Sequence, residues 1–215
     1  HDLAYLAHPE CCPDETVNYL SQRVPKTLRK ASAIITPSAF VKEEIIRYFE
    51  FPDKRIYPVL HGVSTEFKVL PDEALIKVRQ ELGLPEHFFL FVGTIEPRKN
   101  LLALIEAFGQ VAAQGLEYFL VLAGTRGWKY EDIYALPRRL GLENRVLFLD
   151  YVLDNLLPAL YNAATIFVFP SLYEGFGLPV LEAMACGTPV ITSKSSSLPE
   201  VVGNAGILVD PLDIK

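Results

Sequence analysis

Two glutamates, Glu174 and Glu182, stand eight positions apart around a short glycine-containing turn. The apolar run 166–169 predicts a buried strand that Pro170 ends, and residues 178–186 predict a short helix. One glutamate therefore lies in the loop between strand and helix, and the other lies about one turn into the helix. Ionised carboxylates accept hydrogen bonds, so this pair suits a ligand that is rich in hydroxyl groups.

The glycines between them, Gly175 and Gly177, prepare the same turn for an anion. Without side chains, the backbone amides can approach a ligand closely, next to the positive end of the helix dipole. This combination indicates a ligand that carries both phosphate and sugar. Either glutamate taken alone has a simpler interpretation, as a solvated loop acid or as an acid favoured at a helix start. A dinucleotide fingerprint is excluded because its third glycine position holds Val180.

A second anion site is predicted after the apolar run 88–92. Arg98 and Lys99 stand there at the expected start of a helix that Asn100 would cap. Cations at a helix start are repelled by its dipole, at a cost of about 0.3–1 kcal/mol each, and a bound anion would reverse this effect. The alternative is that both side chains point into solvent and the penalty is tolerated.

Strand-like and helix-like segments alternate from residue 88 onward. Continuously apolar strands in such an alternation predict an α/β fold with a doubly wound, Rossmann-like parallel sheet. Ligands bind at the carboxyl ends of the strands in such a sheet, so the Arg98 and Glu174 loops should open onto one crevice. The predicted strands are 88–92, 118–123, 146–149, 166–169, 190–192 and 207–209, and the predicted helices are 101–112, 131–140, 155–163 and 178–186.

Residues 1–62 show a weaker version of this pattern, with predicted strands 33–36 and 56–59 and a helix at 39–49. Two strands are too few for a complete domain, so we expect their apolar faces to stay partly open. We predict a remnant of one Rossmann-like domain with its linker in 1–62, and a ligand-binding Rossmann-like domain in 63–215. The chain starts without methionine, and no basic region precedes an apolar stretch, so we expect a fragment and no signal peptide.

The composition narrows the classes of function. The 215 residues carry a formal net charge of −6, which argues against broad binding to nucleic acid or to an anionic membrane. The apolar runs are far shorter than the ~18 residues of a membrane span. A basic stretch that Pro25 is expected to interrupt is interpreted as a solvated helix face, with membrane contact as the alternative.

The three cysteines, an odd number, favour a reducing cytoplasm. His8 stands near Cys11 and Cys12, which suggests zinc. No second cluster of histidine or cysteine completes four ligands, so no metal site is predicted.

Three segments, 93–100, 173–190 and 197–206, resemble glycosyltransferase family 4, the retaining GT-B enzymes that use sugar nucleotides. The glutamate pair is similar to that family's E-x7-E element, and the resemblance covers essentially the whole chain. It implies a GT-B type fold. The chain would then hold the C-terminal donor-binding domain without its final helices, together with part of the acceptor-side domain.

The resemblance implies a role for each matching position. Arg98 and Lys99 would neutralise the donor diphosphate, and Glu182 would bind the ribose hydroxyls. Glu174 and the amides that follow it would hold the sugar and the phosphates, and His1 would face the donor sugar. The implied catalytic residues are His1, Arg98, Lys99 and Glu174. The implied donor-binding residues are Gly93, Arg98, Lys99, Val152, Glu174, Phe176, Gly177, Leu178 and Glu182.

The activity implied by the resemblance is retaining transfer of a hexose, with mannose favoured, to a saccharide or lipid-linked acceptor in polysaccharide biosynthesis. GDP-mannose is the favoured donor and UDP- and ADP-sugars are alternatives. No cofactor or metal is expected, because two cations meet the diphosphate charge. A non-catalytic sugar-nucleotide-binding module and a glycoside phosphorylase on the same fold stay open, and the fragment alone need not be active. We expect a cytoplasmic protein with no nucleic acid partner, and peripheral contact of the full-length protein with the inner face of the membrane is left open.

Overall fold

A computed structural model describes residues 1–214 of the chain. The strands are β1 (Ile34–Thr36), β2 (Ile56–Pro58), β3 (Phe88–Val92), β4 (Phe119–Ala123), β5 (Val146–Asp150), β6 (Ile166–Phe169), β7 (Val190–Ser193) and β8 (Ile207–Val209). The helices are α1 (Ala4–Ala7), α2 (Asp14–Lys30), α3 (Ala39–Phe49), α4 (Asp72–Leu82), α5 (Leu101–Ala113), α6 (Glu131–Arg139), α7 (Leu157–Ala163), α8 (Leu178–Ala185) and α9 (Leu198–Val202).

The expected α/β fold with a doubly wound parallel sheet is confirmed. The main sheet has six parallel strands in the order β5-β4-β3-β6-β7-β8. The chain runs outward from β3 to β5 on one side and from β6 to β8 on the other, so the strand order reverses between β3 and β6. A crevice for ligands opens at such a switch point, between the loops that follow the two central strands.

The central strands are buried on both faces, which explains why their sequences are apolar without alternation. Leu120, Val121 and Leu122 are consecutive in β4 and each has 0% of its surface exposed. Helix α5 covers one face of the sheet with the apolar side that its periodicity predicts. Its buried residues are Leu101, Leu104, Ile105 and Phe108.

Helix α2 differs from the prediction, because it continues through Pro25 without interruption. A proline removes one hydrogen bond, to the carbonyl four residues earlier, which here belongs to Ser21. Ser21 is exposed, so water can satisfy that carbonyl. The basic residues of α2 that the sequence singled out, Arg23, Lys26, Arg29 and Lys30, are exposed. Within residues 1–214, no helix is both long enough and apolar enough to span a membrane.

Helices α1, α4 and α9 were not predicted. Helix α4 buries only Val78 fully, so its apolar pattern is weak, although Gly83 ends it in the left-handed conformation that favours glycine. Helices α1 and α9 have four and five residues, too few for a periodic pattern to be recognised.

The amino-terminal region has a small sheet and a core of its own. Strands β1 and β2 pair in parallel, with Ile35 opposite Tyr57. These two side chains are 73% and 54% exposed, as expected for a sheet with an open apolar face. The core of this region includes Leu3, Ile45 and Ile56, and it also includes Tyr173 from the loop after β6. The small sheet is therefore packed against the loop that carries Glu174, while a domain boundary near residue 62 stays a prediction.

Gly124 is required where the loops after β3 and β4 touch. A Cβ atom on Gly124 would lie 1.9 Å from the carbonyl oxygen of Gly93, and φ at Gly124 is +151°. We expect Gly124→Ala to lower the free energy of unfolding by about 1–3 kcal/mol or more, because neither backbone can move away without breaking sheet contacts. Urea unfolding measures this loss. Gly62→Ala is the control, since nothing lies within 4 Å of the added carbon. It should change stability by less than about 0.5 kcal/mol, and equal losses for both variants would contradict the prediction.

Candidate functional site

The two predicted cations lie in a tight turn between β3 and α5. Pro97–Lys99 form one turn of 3₁₀ helix, and Asn100 follows in the left-handed conformation with φ +58°. The sequence predicted that Asn100 would cap α5, but its side chain makes no capping hydrogen bond. Its amide instead donates to the carbonyl oxygens of Pro170, at 3.3 Å, and Pro211, at 2.7 Å. The turn that carries the cations is thereby tied to the loop after β6.

Arg98 and Lys99 both point inward and converge on Glu174. Lys99 Nζ lies 2.6 Å from Glu174 Oε1, and Arg98 Nη1 lies 3.0 Å from Glu174 Oε2. Arg98 Nη1 also donates to the carbonyl oxygen of Tyr173 at 2.9 Å. The side chains of Lys99 and Glu174 are only 10% and 11% exposed, so the alternative that the cations point into solvent does not describe this structure.

Glu96 completes the cluster, and sequence reasoning missed it. Its Oε1 atom lies 2.7 Å from Arg98 Nη2, and the residue is only 2% exposed. Burial raises the pKa of the Glu96 carboxyl, although the charges of Arg98 and Lys99 oppose that rise. The available signal was its position two residues before Arg98. The cluster thus holds two cations and two carboxyl groups, all of them largely buried.

The electrostatics of Glu174 follow from its two partners. Burial acts to raise the pKa of Glu174, but the charges of Lys99 and Arg98 together outweigh it and hold the pKa below its usual range. In return, the carboxylates of Glu174 and Glu96 raise the pKa of Arg98 against the opposing effect of burial. Glu174 therefore carries its negative charge throughout the neutral range.

Two serines hold the backbone of the Glu174 loop, and neither was predicted. Ser196 Oγ accepts a hydrogen bond from the Glu174 amide at 2.9 Å. Ser197 Oγ lies 2.9 Å from the Glu174 carbonyl oxygen and 2.7 Å from that of Phe176, so its one hydroxyl hydrogen is within reach of both acceptors. The sequence signals were a run of three serines, which is typical of many loops, and the place of Ser197 at the start of the family-like segment 197–206.

An open cleft of about 240 Å³ lies beside this loop. One wall comes from the amino-terminal region and the other from the loop after β6 and the start of α8. His1 and Asp2 are exposed along the first wall, and the ring of His61 packs edge-on against Phe176 at 5.1 Å. His61 was not predicted. The lining residues are His1, Asp2, Pro37, His61, Glu174, Gly175, Phe176, Gly177, Leu178 and Pro179.

Two predicted ligand contacts stand apart from the ion cluster. Glu182 Oε2 accepts a hydrogen bond from the Tyr161 hydroxyl at 2.8 Å, and burial raises the pKa of Glu182. Val152 is buried in the loop after β5. Within residues 1–214, no hydrogen bond or ion pair joins either residue to Arg98, Lys99 or Glu174. Gly93, by contrast, lies beside Lys99, since a Cβ atom there would be 3.8 Å from Lys99 Cε.

His8, Glu10 and Cys11 form a second cluster of polar atoms, and their potential metal-ligating atoms lie within 4.8 Å of one another. His8 Nδ1 is 3.0 Å from Glu10 Oε1. Burial raises the pKa of the Cys11 thiol to about 11, so the thiol keeps its proton at neutral pH. A hydrogen-bonded pair beside a thiol accounts for this cluster, and the absence of a metal site stays a prediction.

The sequence of this chain matches a known protein family over most of its length. The family model described as "Glycosyl transferases group 1" matches residues 73–215. The chain belongs to this family. The match includes the Arg98 turn, the Glu174 loop and Glu182, whereas His1, Asp2 and His61 of the cleft lie before the matched region.

Curated relatives of this group 1 chain include bacterial glycosyltransferases. The O-antigen chain mannosyltransferase B of Escherichia coli is 40% identical over 216 residues, which covers 100% of this chain and 57% of the relative. The D-inositol 3-phosphate glycosyltransferase of Corynebacterium glutamicum is 34% identical and covers 78% of this chain and 43% of the relative. The chain thus spans about half the length of the curated relatives that it matches.

Solved structures agree with the group 1 assignment. HepE of Anabaena, in complex with UDP and glucose, superposes with a TM-score of 0.82 at 26% identity and covers 96% of this chain and 56% of its own. The sucrose-phosphate synthase of Thermosynechococcus elongatus has a TM-score of 0.78 at 29% identity and covers 93% and 50%. Both likenesses span the amino-terminal region as well as the main sheet.

Proposed function

We propose that the protein of which this chain is part transfers a hexose, with mannose as first choice, from a nucleoside diphosphate sugar to a saccharide or lipid-linked acceptor, with retention at the anomeric carbon. The observation that carries this proposal is the convergence of Arg98 and Lys99 on a single carboxylate at the switch point of the sheet. Two cations that share the Glu174 carboxylate, which an incoming ligand can displace, suit a dianionic leaving group. This activity belongs to polysaccharide biosynthesis.

The chemistry follows from the charge that develops in the reaction. When the bond between the anomeric carbon and the diphosphate oxygen breaks, negative charge grows on the diphosphate. Arg98 and Lys99 stabilise that charge best in a site that excludes water. Once the diphosphate takes the cations, Glu174 is released to accept hydrogen bonds from the sugar hydroxyls, and His1 faces the same cleft. The leaving oxygen then accepts the proton of the attacking acceptor hydroxyl on the same face.

The choice of donor rests on one relative and one solved structure. The E. coli relative is named a mannosyltransferase, which favours GDP-mannose, whereas the Anabaena structure holds UDP and glucose. UDP- and ADP-sugars therefore remain alternatives. No further cofactor or metal is proposed, because two cations are already in place. A cytoplasmic location, with peripheral contact at the inner face of the membrane, is kept as a prediction for the full-length protein.

Thermal shifts with GDP, UDP and ADP test the donor, followed by transfer assays with the preferred sugar nucleotide. A ligand at about 100 times its dissociation constant adds about 2.7 kcal/mol to the free energy of unfolding. The proposal expects the largest shift with GDP. A shift with UDP alone would replace mannose as first choice. Binding without any transfer by the full-length protein would instead identify a non-catalytic binding module.

Glu182→Ala is expected to weaken the binding of the nucleoside diphosphate and of the intact donor alike, because the proposed contact is to the ribose that both share. Losing a hydrogen bond to a charged group costs about 1.5–3 kcal/mol, roughly a tenfold to hundredfold change in affinity. Calorimetry with both ligands measures it. Tyr161→Phe is the control, since it removes the partner of Glu182 but keeps the carboxylate, and it should leave affinity within about threefold. Weakening of the intact donor alone would assign Glu182 to the sugar instead.

A further inference from the structure

The first turn of α3 is bonded directly to the loop that carries Glu174. Ser38 Oγ donates to the carbonyl oxygen of Gly175 at 2.7 Å and is fully buried. Ser38 Oγ also accepts a hydrogen bond from the Val41 amide at 3.2 Å, so Ser38 is the N-cap of α3 as well. One side chain therefore starts the helix and holds the peptide group that follows Gly175, the residue next to Glu174.

A second bond from α3 holds the residue that precedes Glu174. The Tyr173 hydroxyl donates a short hydrogen bond to Glu44 Oε2 and accepts one from the Leu3 amide at 3.0 Å. Tyr173 is 2% exposed and Glu44 is 3% exposed, and Arg47 Nη2 lies 3.2 Å from the other carboxylate oxygen of Glu44. A buried carboxylate with two partners fixes the tyrosine ring, and with it the backbone next to Glu174.

The opposite side of the loop is held from α9, and that helix is bonded to α3 as well. Glu200 on α9 accepts hydrogen bonds from the Ala39 amide at 3.0 Å and from the Phe40 amide at 3.3 Å. These are free amides of the first turn of α3, where a carboxylate is favourable. Since Ser196 and Ser197 precede α9, the Glu174 loop lies between two elements that are bonded to each other across it.

We propose that Ser38 and Glu44 are positioning residues for Glu174, acting through Gly175 and Tyr173. Neither side chain has a recorded contact with the Glu174 carboxylate, but each holds a neighbouring residue of the loop. The space is tight, because a Cβ atom on Gly175 would lie 2.0 Å from the His1 carbonyl oxygen. The loop is therefore close-packed against His1 on one side, and hydrogen bonds from Ser38 and Glu44 hold it on the α3 side. This inference rests on the proposed role of Glu174 toward the donor sugar.

The test compares Tyr173→Phe and Ser38→Ala with the unchanged 215-residue chain. The readout is the ratio of the dissociation constant for GDP-mannose to that for GDP, because Glu174 is proposed to contact only the sugar. Losing a hydrogen bond to a charged acceptor weakens affinity about tenfold or more, so we expect the ratio to rise about tenfold in both variants. Glu44→Gln alone should keep the wild-type ratio, since the glutamine amide oxygen still accepts a hydrogen bond from the Tyr173 hydroxyl. Tyr48→Phe, at a partly exposed tyrosine on α3, is the matched control.

The outcomes separate the two proposals. A raised ratio in Tyr173→Phe and Ser38→Ala, with wild-type ratios in Glu44→Gln and Tyr48→Phe, supports the positioning role. An unchanged ratio in folded variants, even with a lowered melting temperature, overturns the positioning role. The contacts from α3 would then stabilise the fold without affecting how Glu174 binds the sugar. If the unchanged chain binds nucleoside diphosphates but gains nothing from the attached sugar with any base, the proposed function fails, and the positioning role fails with it.

Discussion

Replacing Glu174 by glutamine is expected to tighten the binding of a nucleoside diphosphate roughly tenfold or more. The Glu174 carboxylate is bonded to both cations, at 2.6 Å from Lys99 and 3.0 Å from Arg98. An incoming diphosphate must displace it, and charge-assisted hydrogen bonds contribute about 1.5–3 kcal/mol each. Glutamine keeps the shape but gives up the negative charge, so the diphosphate meets less competition. Calorimetry at fixed salt concentration measures the change.

The intact sugar nucleotide should gain much less from the same substitution. The tighter grip on its diphosphate is offset by the loss of a carboxylate acceptor for sugar hydroxyls. The ratio of the two dissociation constants, donor over diphosphate, should therefore rise about tenfold or more. Glu81→Gln, at an exposed acid of α4, makes the same change in net charge and should leave both constants unaltered. Equal affinities of Glu174→Gln and wild type for both ligands would show that Glu174 serves only the fold.

Replacing Lys99 by methionine is expected to lower the free energy of unfolding by about 3–5 kcal/mol at neutral pH. The substitution keeps an unbranched side chain of similar length but leaves a buried carboxylate with Arg98 as its remaining cation, and removing one partner of a buried ion pair carries this cost. Lys77→Met, at an exposed position of α4, is the control and should change stability by less than about 0.5 kcal/mol. The double variant Lys99→Met/Glu174→Met should recover part of the loss, because the single variant leaves one cation for two carboxyl groups and the double variant removes that imbalance. Urea unfolding measures all three.

The pH dependence of Lys99→Met distinguishes a lost charge pair from lost packing. In the wild type the folded pKa of Glu174 lies below its unfolded value, so its stabilising contribution is present above the unfolded pKa and is lost as the pH falls through the folded pKa. Without Lys99, burial is less opposed and the folded pKa moves upward. As the pH falls, protonation of Glu174 then removes the poorly compensated buried charge of the variant. The stability difference between wild type and variant should therefore narrow on acidification, and a constant difference would point to packing alone.

The strands of the main sheet were predictable because burial on both faces leaves a plain chemical signature. The apolar runs at Phe88–Val92 and Ile166–Phe169 coincide with β3 and β6 residue for residue. The family-like segments marked the two loops that meet at the switch point. The direction of the cationic side chains was not predictable in the same way, because Glu174, which turns them inward, lies 75 residues further along the chain.

The supporting contacts were invisible for a related reason. Glu44 and Tyr173 are 129 residues apart and meet only once α3 packs against the loop after β6. Asn100 seemed a helix cap from its local sequence, but carbonyl oxygens of Pro170 and Pro211 compete for its amide. Long-range partners override local preferences whenever a buried polar group must be satisfied.

The β-type pairing between the paths of β3 and β4 does not stop where the strands end. Ile95 donates to the carbonyl oxygen of Thr125 at 2.8 Å, and Gly127 donates back to that of Ile95 at 3.0 Å. The turn that bears Arg98 is thus anchored to the sheet by backbone hydrogen bonds and is not a mobile loop. The amide hydrogens of Ile95, in this turn, and of Gly127, in the loop after β4, should exchange with solvent on the slow timescale of the sheet. The cation pair then stays preorganised, and a ligand enters by displacing one carboxylate side chain while the backbone stays still.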